Sequence, residues 1–249
     1  MRNICFYFQI HQPMRLKRYR FFDIGQDHYY YDDFQTEDHI RKVAEQSYLT
    51  ANKTIAEMIR SSNGKFKCSF SISGIALEQL EQYAPEVIDS FKELSKTGSV
   101  EFLAEPYAHS LASVFDADEF KRQVTLHANK IEELFGKRPA TFFNSELIYS
   151  DQIGETVAEM GYKTMMIDEA KHVMGWKSPN YIYKHAYLPK LKLLVRNNKL
   201  SDDLAFRFTH QSLTAEKFIA WIAALPVEEK TINLGMGYDV FGHINSANT

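Results

Sequence analysis

Acidic, amide and imidazole side chains follow the ends of several apolar, β-rich runs in this sequence. In parallel α/β folds such positions supply reactive groups, because the loops after the strand C-termini meet at one end of the sheet. Carboxylates placed there can attack an electrophilic carbon or transfer a proton. The candidates are His11 and Gln12 after the first run, Glu105 and His109 after the third, Glu146 after the fourth, Asp168 after the fifth and Asp239 after the last.

Aromatic residues accompany these polar groups, and the combination favours carbohydrate chemistry. Sugars present hydroxyl groups to acids and amides, and they present apolar ring faces to Tyr, Trp and Phe. Trp176, after the fifth run, is equally compatible with a sugar platform and with a residue that has no binding role. Phosphate chemistry is a poorer match, because no glycine-rich phosphate loop follows any run.

The elements that would position these groups alternate between β-rich runs and helical patterns, which is typical of a parallel sheet wrapped by helices. Gly74–Thr97 and Ala117–Phe135 carry apolar residues at helical spacing and are predicted to be crossover helices. Seven β-like runs predict an α/β fold with a barrel or a large open sheet: Asn3–Ile10, Lys65–Ser73, Ser99–Ala104, Ala140–Asn144, Lys163–Ile167, Leu191–Arg196 and Thr231–Met236.

Residue types at the ends of the helical patterns predict where helices begin and end. Gly98 and Gly136 stand where a left-handed residue ends a helix, and Ser150 and Thr214 stand where a side chain caps a helix N-terminus. The Tyr- and Phe-rich stretch Arg18–Phe34 has no clean period, so we expect a long ordered loop near the top of the sheet.

Four segments carry residue patterns that resemble the fingerprints of a known enzyme family. They are Phe8–Pro13, Gly98–Tyr107, Asn144–Ser150 and Ile232–Gly242. Over essentially its whole length the chain resembles the α-amylase branch of glycoside hydrolase family 57. The resemblance implies an incomplete (β/α)7 barrel, an α-glucan or maltooligosaccharide as ligand, retaining cleavage or transfer of α-glucosidic bonds, and no required metal or other cofactor.

The resemblance also implies roles for individual positions. Retaining chemistry needs a carboxylate nucleophile and a carboxylic acid on opposite faces of the sugar, with carboxyl groups about 5–5.5 Å apart. Glu146 matches the family's nucleophile, but Gly237 stands where the family has an aspartic acid, and glycine cannot donate a proton. Asp239, two residues on, would point to the same face of a strand about 6–7 Å further along. It is either a substitute acid or a structural residue.

Two functions from different classes follow from Gly237. One is an α-amylase-like retaining glycoside hydrolase with weak activity, because loss of general acid catalysis costs roughly 10²–10⁴-fold in rate. The other is a catalytically impaired protein that keeps its α-glucan contacts and binds without turnover.

The remaining candidates are expected to contact substrate near these carboxylates, and several have plainer alternatives. Glu146 could cap a surface helix, His11 could simply fix its loop, and Glu101 is equally compatible with a buried structural acid. Trp221 lies on the apolar face of its helix and is predicted to be core. The substrate-binding set is His11, Gln12, Glu101, Glu105, His109, Asp168 and Trp176.

Length, charge and cysteine usage limit the organisation and the partners. A single barrel over residues 1–249 is expected, without the C-terminal helical region that family members usually carry. The net charge is -3 and Lys and Arg are scattered, so no nucleic-acid partner is expected. No run approaches the roughly 20 apolar residues of a membrane span, and Cys5 and Cys68 are predicted to be buried free thiols. These features predict a cytoplasmic protein without a membrane partner.

Metal-dependent deacetylation is the rival chemistry for a seven-stranded barrel. Deacetylases of this shape bind metal through an Asp and two histidines four residues apart, and no two histidines of this sequence have that spacing. We therefore expect no metal site. The stretch 208–213 is expected to be a shorter loop than its equivalent in amylase-like proteins.

Overall fold

The structure is a computed structural model that describes residues 2–26, 28–208 and 213–245. The strands are β1 (Asn3–Ile10), β2 (Cys68–Ile72), β3 (Val100–Phe102), β4 (Thr141–Phe143), β5 (Thr164–Ile167), β6 (Ile182–Lys184), β7 (Lys192–Val195) and β8 (Thr231–Gly237). The α-helices are α1 (Asp33–Val43), α2 (Leu49–Ser61), α3 (Gly74–Tyr83), α4 (Pro85–Lys96), α5 (Ala112–Phe115), α6 (Ala117–Phe135), α7 (Asp151–Glu159), α8 (Lys171–Met174), α9 (Asn198–Ala205) and α10 (Ala215–Ala224). Most of the predicted short loop at 208–213 lies outside the described residues.

The strands form two four-stranded sheets, in the orders β3-β2-β1-β8 and β4-β5-β7-β6. Isolated parallel bridges join the sheets at both sides, from Ala104 to Phe142 of β4 and from Arg196 to Asn233 of β8. The seven predicted strands therefore follow one another around an incomplete barrel, as expected. The three-residue strand β6 pairs antiparallel with β7 and was not predicted, because it is too short to show a period.

The pleat of β1 separates the helix-covered core from the barrel interior. Phe8 and Ile10 belong to the large apolar cluster under the helices, whereas Tyr7 packs with Phe143 in a smaller cluster. Because successive side chains of a strand point to opposite faces, Gln9 shares the interior face with Tyr7. Gln9 thus lies inside the barrel, close to the C-terminal end of the strand.

Helix boundaries agree with the sequence signals except at one position. Gly74–Thr97 was predicted as one helix and is two, because Ala84 has φ -150° and ψ 59° and Pro85 then begins α4 without an N–H to donate. Helix α6 matches the predicted span and ends at Gly136, which has φ 74°. The predicted N-caps of α7 and α10 are confirmed, since Ser150 accepts from Ile153 N and Thr214 accepts from Lys217 N.

The segment after β1 is mainly loop, as predicted for Arg18–Phe34, but α1 already begins at Asp33. An antiparallel bridge between Leu16 and Tyr31 ties its two ends together.

Cys5 and Cys68 are both free, although only Cys68 is buried. Across the described ranges, no helix is long and apolar enough to cross a membrane.

A π-helix, Ala44–Tyr48, holds the turn that follows β8. Ser47 Oγ donates to the carbonyl of Tyr238 at 3.0 Å, and the Tyr48 and Tyr238 rings stack with centroids 5.7 Å apart. Gly242 has φ 101°, and a Cβ added there would lie 2.1 Å from the carbonyl oxygen of Gln46. This contact tolerates only glycine, so Gly242 fixes the turn against the π-helix.

We expect Gly242→Ala to lower the free energy of unfolding by roughly 2–4 kcal/mol, because backbone strain and a steric clash add. Gly136→Ala is the matched control, since Gly136 also has a positive φ of 74° but an added Cβ meets nothing within 4 Å. Strain alone should cost about 1 kcal/mol there. Urea denaturation of both variants checks the difference, and equal losses would contradict the steric explanation.

Candidate active site

Glu146 lies in a single 3-10 turn, Ser145–Leu147, directly after β4. Its φ of 53° is left-handed, and so is the φ of 56° at Leu147. The buried Asn144 anchors the turn by donating from Nδ2 to the carbonyl of Ile148 at 2.8 Å. The Glu146 side chain is 72% exposed, so its carboxylate is accessible to solvent despite the unusual backbone conformation. Strain of this kind is common at functional sites.

His109 joins two carboxylates. Its Nδ1 lies 3.0 Å from Oε2 of Glu105, and its Nε2 lies 3.1 Å from Oε1 of Glu146. Burial lowers the pKa of His109, but hydrogen bonds and charge from Glu105, and then from Glu146, outweigh burial and raise the pKa above its ordinary value. A protonated ring can donate to both partners at once. The His109 ring therefore orients the Glu146 carboxylate.

Glu105 supports His109 from below the site. The residue is fully buried, and Ser71 Oγ donates to its Oε1 at 2.8 Å. Its backbone N–H donates to Nδ1 of His127 at 3.2 Å, which ties Glu105 to a second buried imidazole. Because a fully buried carboxylate is out of reach of a sugar hydroxyl in this conformation, the geometry favours orientation of His109 over the predicted substrate contact.

His11 stacks on the other side of His109, with ring centroids 4.5 Å apart and an interplanar angle of 26°. Nδ1 of His11 lies 2.8 Å from Ser73 Oγ. Burial, and secondarily the charge of His109, lower the pKa of His11. The pKa values of the two stacked rings are thus shifted in opposite directions, that of His109 upward and that of His11 downward.

Three members of this cluster were missed in the sequence. Nε2 of the Gln9 amide lies 3.2 Å from Nε2 of His109, and Ser71 and Ser73 bind the cluster from the end of β2. The alternation along β1 could have identified Gln9, because it shares a face with Tyr7. The serines offered no comparable signal, since small hydroxyl residues are common near strand ends.

Asp239 follows β8, while Glu146 follows β4, and three strands separate β8 from β4 along one side of the barrel. The two carboxylates therefore belong to opposite sides of the barrel mouth. Gly237 pairs with Gln9 in the sheet, and its backbone angles, φ -59° and ψ 139°, are ordinary for any residue. A Cβ added at Gly237 would lie 2.7 Å from Oδ1 of Asp239, so the Asp239 carboxylate reaches into the space of the missing side chain.

The other predicted binding residues lie at different depths. Asp168 is beside the Glu146 turn, because its N–H donates to the carbonyl of Leu147 at 3.3 Å. Gln12 is nearly buried and donates from Nε2 to the hydroxyl of Tyr48 at 3.1 Å. Glu101 is half-buried in β3 and pairs with Ser69, one interior layer below Gln9.

The two tryptophans differ in solvent exposure, and Trp221 is more exposed than predicted. Trp176 is 93% exposed beyond α8, and its sugar-binding role stays a prediction. The core assignment of Trp221 was wrong, because Trp221 is 38% exposed while Phe218 and Ile222 of the same helix are each 8% exposed. Trp221 lies at the edge of the apolar face of α10, where the bulky indole is only partly covered.

Among residues 2–26, 28–208 and 213–245, no group of three or more His, Cys, Asp and Glu side chains is placed so that it could hold a metal ion. The imidazoles of the site instead contact carboxylates, hydroxyls or each other.

We expect Glu105→Gln to lower the free energy of unfolding more at pH 6 than at pH 9. The pKa of His109 is raised in the folded state. The stabilisation from its contact with Glu105 is therefore complete below the ordinary histidine pKa of about 6.5 and is lost as the pH rises through the raised value. The difference between the two pH values should be on the order of 1 kcal/mol, the usual net contribution of a hydrogen bond to stability. Urea denaturation at both pH values measures it.

Glu132→Gln is the control for this experiment, because exposed Glu132 pairs with Arg138, which keeps its charge at both pH values. Its effect should be small and independent of pH. The same loss at pH 6 and pH 9 for Glu105→Gln would contradict a raised pKa of His109.

Several known proteins resemble this chain in sequence or in fold. The sequence model of Glycosyl hydrolase family 57 matches residues 5–249. A protein of Methanocaldococcus jannaschii named "Putative alpha-amylase" is 37% identical over 250 residues, covering 96% of this chain and 51% of that protein. The chain thus spans about half the length of this relative.

Two solved structures have the same fold. A 4-alpha-glucanotransferase from Thermococcus litoralis superposes with a TM-score of 0.71 at 16% identity, covering 96% of this chain and 33% of that chain. A GH57-type branching enzyme from Pyrococcus horikoshii superposes with a TM-score of 0.72 at 11% identity, covering 99% of this chain and 65% of that chain. With the family match across nearly all residues and the 37% identical relative, we conclude that this chain belongs to glycosyl hydrolase family 57.

Proposed function

We propose that residues 1–249 form one barrel unit that acts on α-glucans as a retaining glycoside hydrolase, with Glu146 as nucleophile and Asp239 as general acid. The observation that carries the proposal is the contact between Nε2 of His109 and Oε1 of Glu146 at 3.1 Å. A buried, carboxylate-backed imidazole that holds an exposed carboxylate is a costly arrangement for a purely structural residue. The names of the relatives, an amylase, a glucanotransferase and a branching enzyme, support an α-glucan as substrate.

In the first step Oε of Glu146 attacks the anomeric carbon, and the glycosidic C–O bond breaks. The leaving oxygen takes a proton from Asp239, which becomes a carboxylate. In the second step this carboxylate removes a proton from water, and the water oxygen displaces Glu146 from the sugar. His109 orients the Glu146 carboxylate for the attack and stabilises it again as the leaving carboxylate.

Two features support Asp239 as the acid. It belongs to the side of the mouth opposite Glu146, which the retaining mechanism requires. Its Oδ1 lies 2.7 Å from the position of a Cβ on Gly237, so its carboxyl group stands close to where the family's aspartic acid would project. The contact of the turn with the π-helix, through Gly242, keeps it there.

Hydrolysis of maltoheptaose and soluble starch, followed by release of reducing ends, tests the proposal. Proton NMR of the first product should show the α-anomer, because two inversions at the anomeric carbon retain its configuration. A β-anomer as first product would contradict Glu146 as nucleophile.

Gly237 favours a second candidate, a glucan-binding protein without turnover. Without an effective acid, the chain would bind maltoheptaose yet release no reducing ends. Calorimetric titration with maltoheptaose separates the candidates, since binding without product favours this second function and product formation excludes it.

A further inference from the structure

A second pocket of about 680 Å³ lies on the flank of the barrel. It opens near the seam where β7 and β8 meet through a single bridge from Arg196 to Asn233. Residues from the loop after β5, from the segment before β6, from α9 and from α10 with the segment that follows it line the pocket. Glu146, His109 and Asp239 are not among them. The pocket is therefore separate from the proposed catalytic residues.

One part of the lining is a chain of oriented polar groups. Asn197 Nδ2 donates to Oδ1 of Asn180 at 3.0 Å, and Asn180 Nδ2 donates to Oε2 of Glu229 at 2.6 Å. All three residues are buried, and Oδ1 of Asn197 also caps α9 at Leu200 N. A carboxylate and an amide retain further lone pairs and N–H groups after these bonds. Their directions are set before any ligand arrives, which lowers the entropic cost of binding.

Another part of the lining is apolar and includes the half-exposed indole of Trp221 together with Pro179 and Leu225. A half-exposed tryptophan in a pocket provides a flat apolar surface and an N–H donor. Oriented amides and carboxylates beside such a surface match a sugar ring, which has hydroxyl groups around an apolar face.

The formal charges of the lining residues indicate which ligands the pocket disfavours. Asp203 is already paired with Arg207 at 2.6 Å, so Glu169, Glu229 and Lys199 supply the remaining formal charges of the lining. This balance is slightly negative and disfavours phosphorylated or carboxylated ligands. The volume lies within the range of about 300–1,000 Å³ that is common for small-molecule pockets.

We propose that this flank pocket is a second, non-catalytic binding site for an α-glucan chain, with Trp221 as its sugar platform. The choice of α-glucan among neutral sugars rests on the proposed function. Such a site would hold one part of a long glucan near the barrel while another part of the same glucan contacts the catalytic residues.

The two tryptophans of the chain permit a direct test. In Trp176→Phe, Trp221 is the sole indole, and titration with maltoheptaose should change its fluorescence saturably, with a Kd in the millimolar range of about 0.1–10 mM. In Trp221→Ala, calorimetric titration should lose one class of sites, whereas Trp176→Ala should keep the flank site. Cellohexaose, a β-linked neutral sugar, serves as the ligand control.

No saturable change in Trp221 fluorescence up to about 10 mM maltoheptaose would overturn this inference. An equal response to cellohexaose would overturn the assignment to α-glucans. If starch is hydrolysed and Trp221 does not respond, the flank site alone is wrong. If Trp221 responds and no reducing ends appear from any α-glucan, the flank site stands and the proposed hydrolase function is wrong.

Discussion

Glu146→Gln should reduce kcat for soluble starch by about 10³-fold or more, because removing a nucleophile abolishes the covalent step. Glutamine keeps the size of the side chain and an oxygen that accepts from His109, but its amide cannot form the glycosyl-enzyme. The side chain is 72% exposed, so the free energy of unfolding should change by less than about 0.5 kcal/mol. Reducing-end assays and urea denaturation measure the two effects.

A matched control separates loss of the nucleophile from loss of any acidic side chain. Glu132→Gln removes an exposed glutamate of α6 that is paired with Arg138 at 3.0 Å, and it should leave starch hydrolysis unchanged. Binding of maltoheptaose should persist in Glu146→Gln, because the predicted substrate-binding residues are unchanged. Full activity in Glu146→Gln would remove Glu146 as the nucleophile.

Gly237→Asp should raise kcat, by up to about 10²-fold, if a weak acid limits turnover. The backbone at Gly237 has a φ of -59°, so an aspartate meets no backbone strain there. The atom closest to the new Cβ is Oδ1 of Asp239, the mobile end of a side chain, and a small rotation relieves the 2.7 Å contact. The new carboxyl group would project from the interior face of β8 beside Gln9.

Two variants keep this experiment interpretable. Gly237→Asn has nearly the same volume but no acidic proton, so it should not raise the rate. Asp239→Asn in the otherwise unchanged chain should lower the remaining activity, because it removes the proposed acid. If Gly237→Asp binds maltoheptaose normally but its rate is unchanged, the missing aspartate does not explain weak turnover.

The interior face of β8 also shows why the position of the substitution matters. A Cβ at Gly235 would lie 1.9 Å from Cζ of Tyr7, whose ring is packed against Phe143. The opposing atom belongs to a buried, rigid ring, so the same change at Gly235 should destabilise the protein. An acidic side chain can therefore be introduced at Gly237, at the C-terminal end of β8, but not at Gly235, one interior layer below.

Periodicity predicted the order of the elements well, because alternation between strand and helix patterns is a local property. The seven parallel strands lie where the β-like runs predicted them, and Glu146 and His109 both follow strand ends. The break at Ala84 was missed because the apolar spacing continues across it, although Pro85 marked the position. Trp221 was misjudged because spacing along a helix does not reveal how wide the covered face is.

Residue types and their spacing along the chain were enough to determine the α/β class and the family resemblance and to predict a role for Glu146, since each depends on residues close together in sequence. The pairing of Glu105, His109 and Glu146 depended on tertiary structure, because two left-handed residues, His109 and Glu146, turn their side chains toward each other across different loops. The contact of Gly242 with Gln46 of the π-helix likewise depends on tertiary structure. The contacts of His109 with Glu146 and of Gly242 with Gln46 join residues far apart in sequence, and no local pattern encodes their distance.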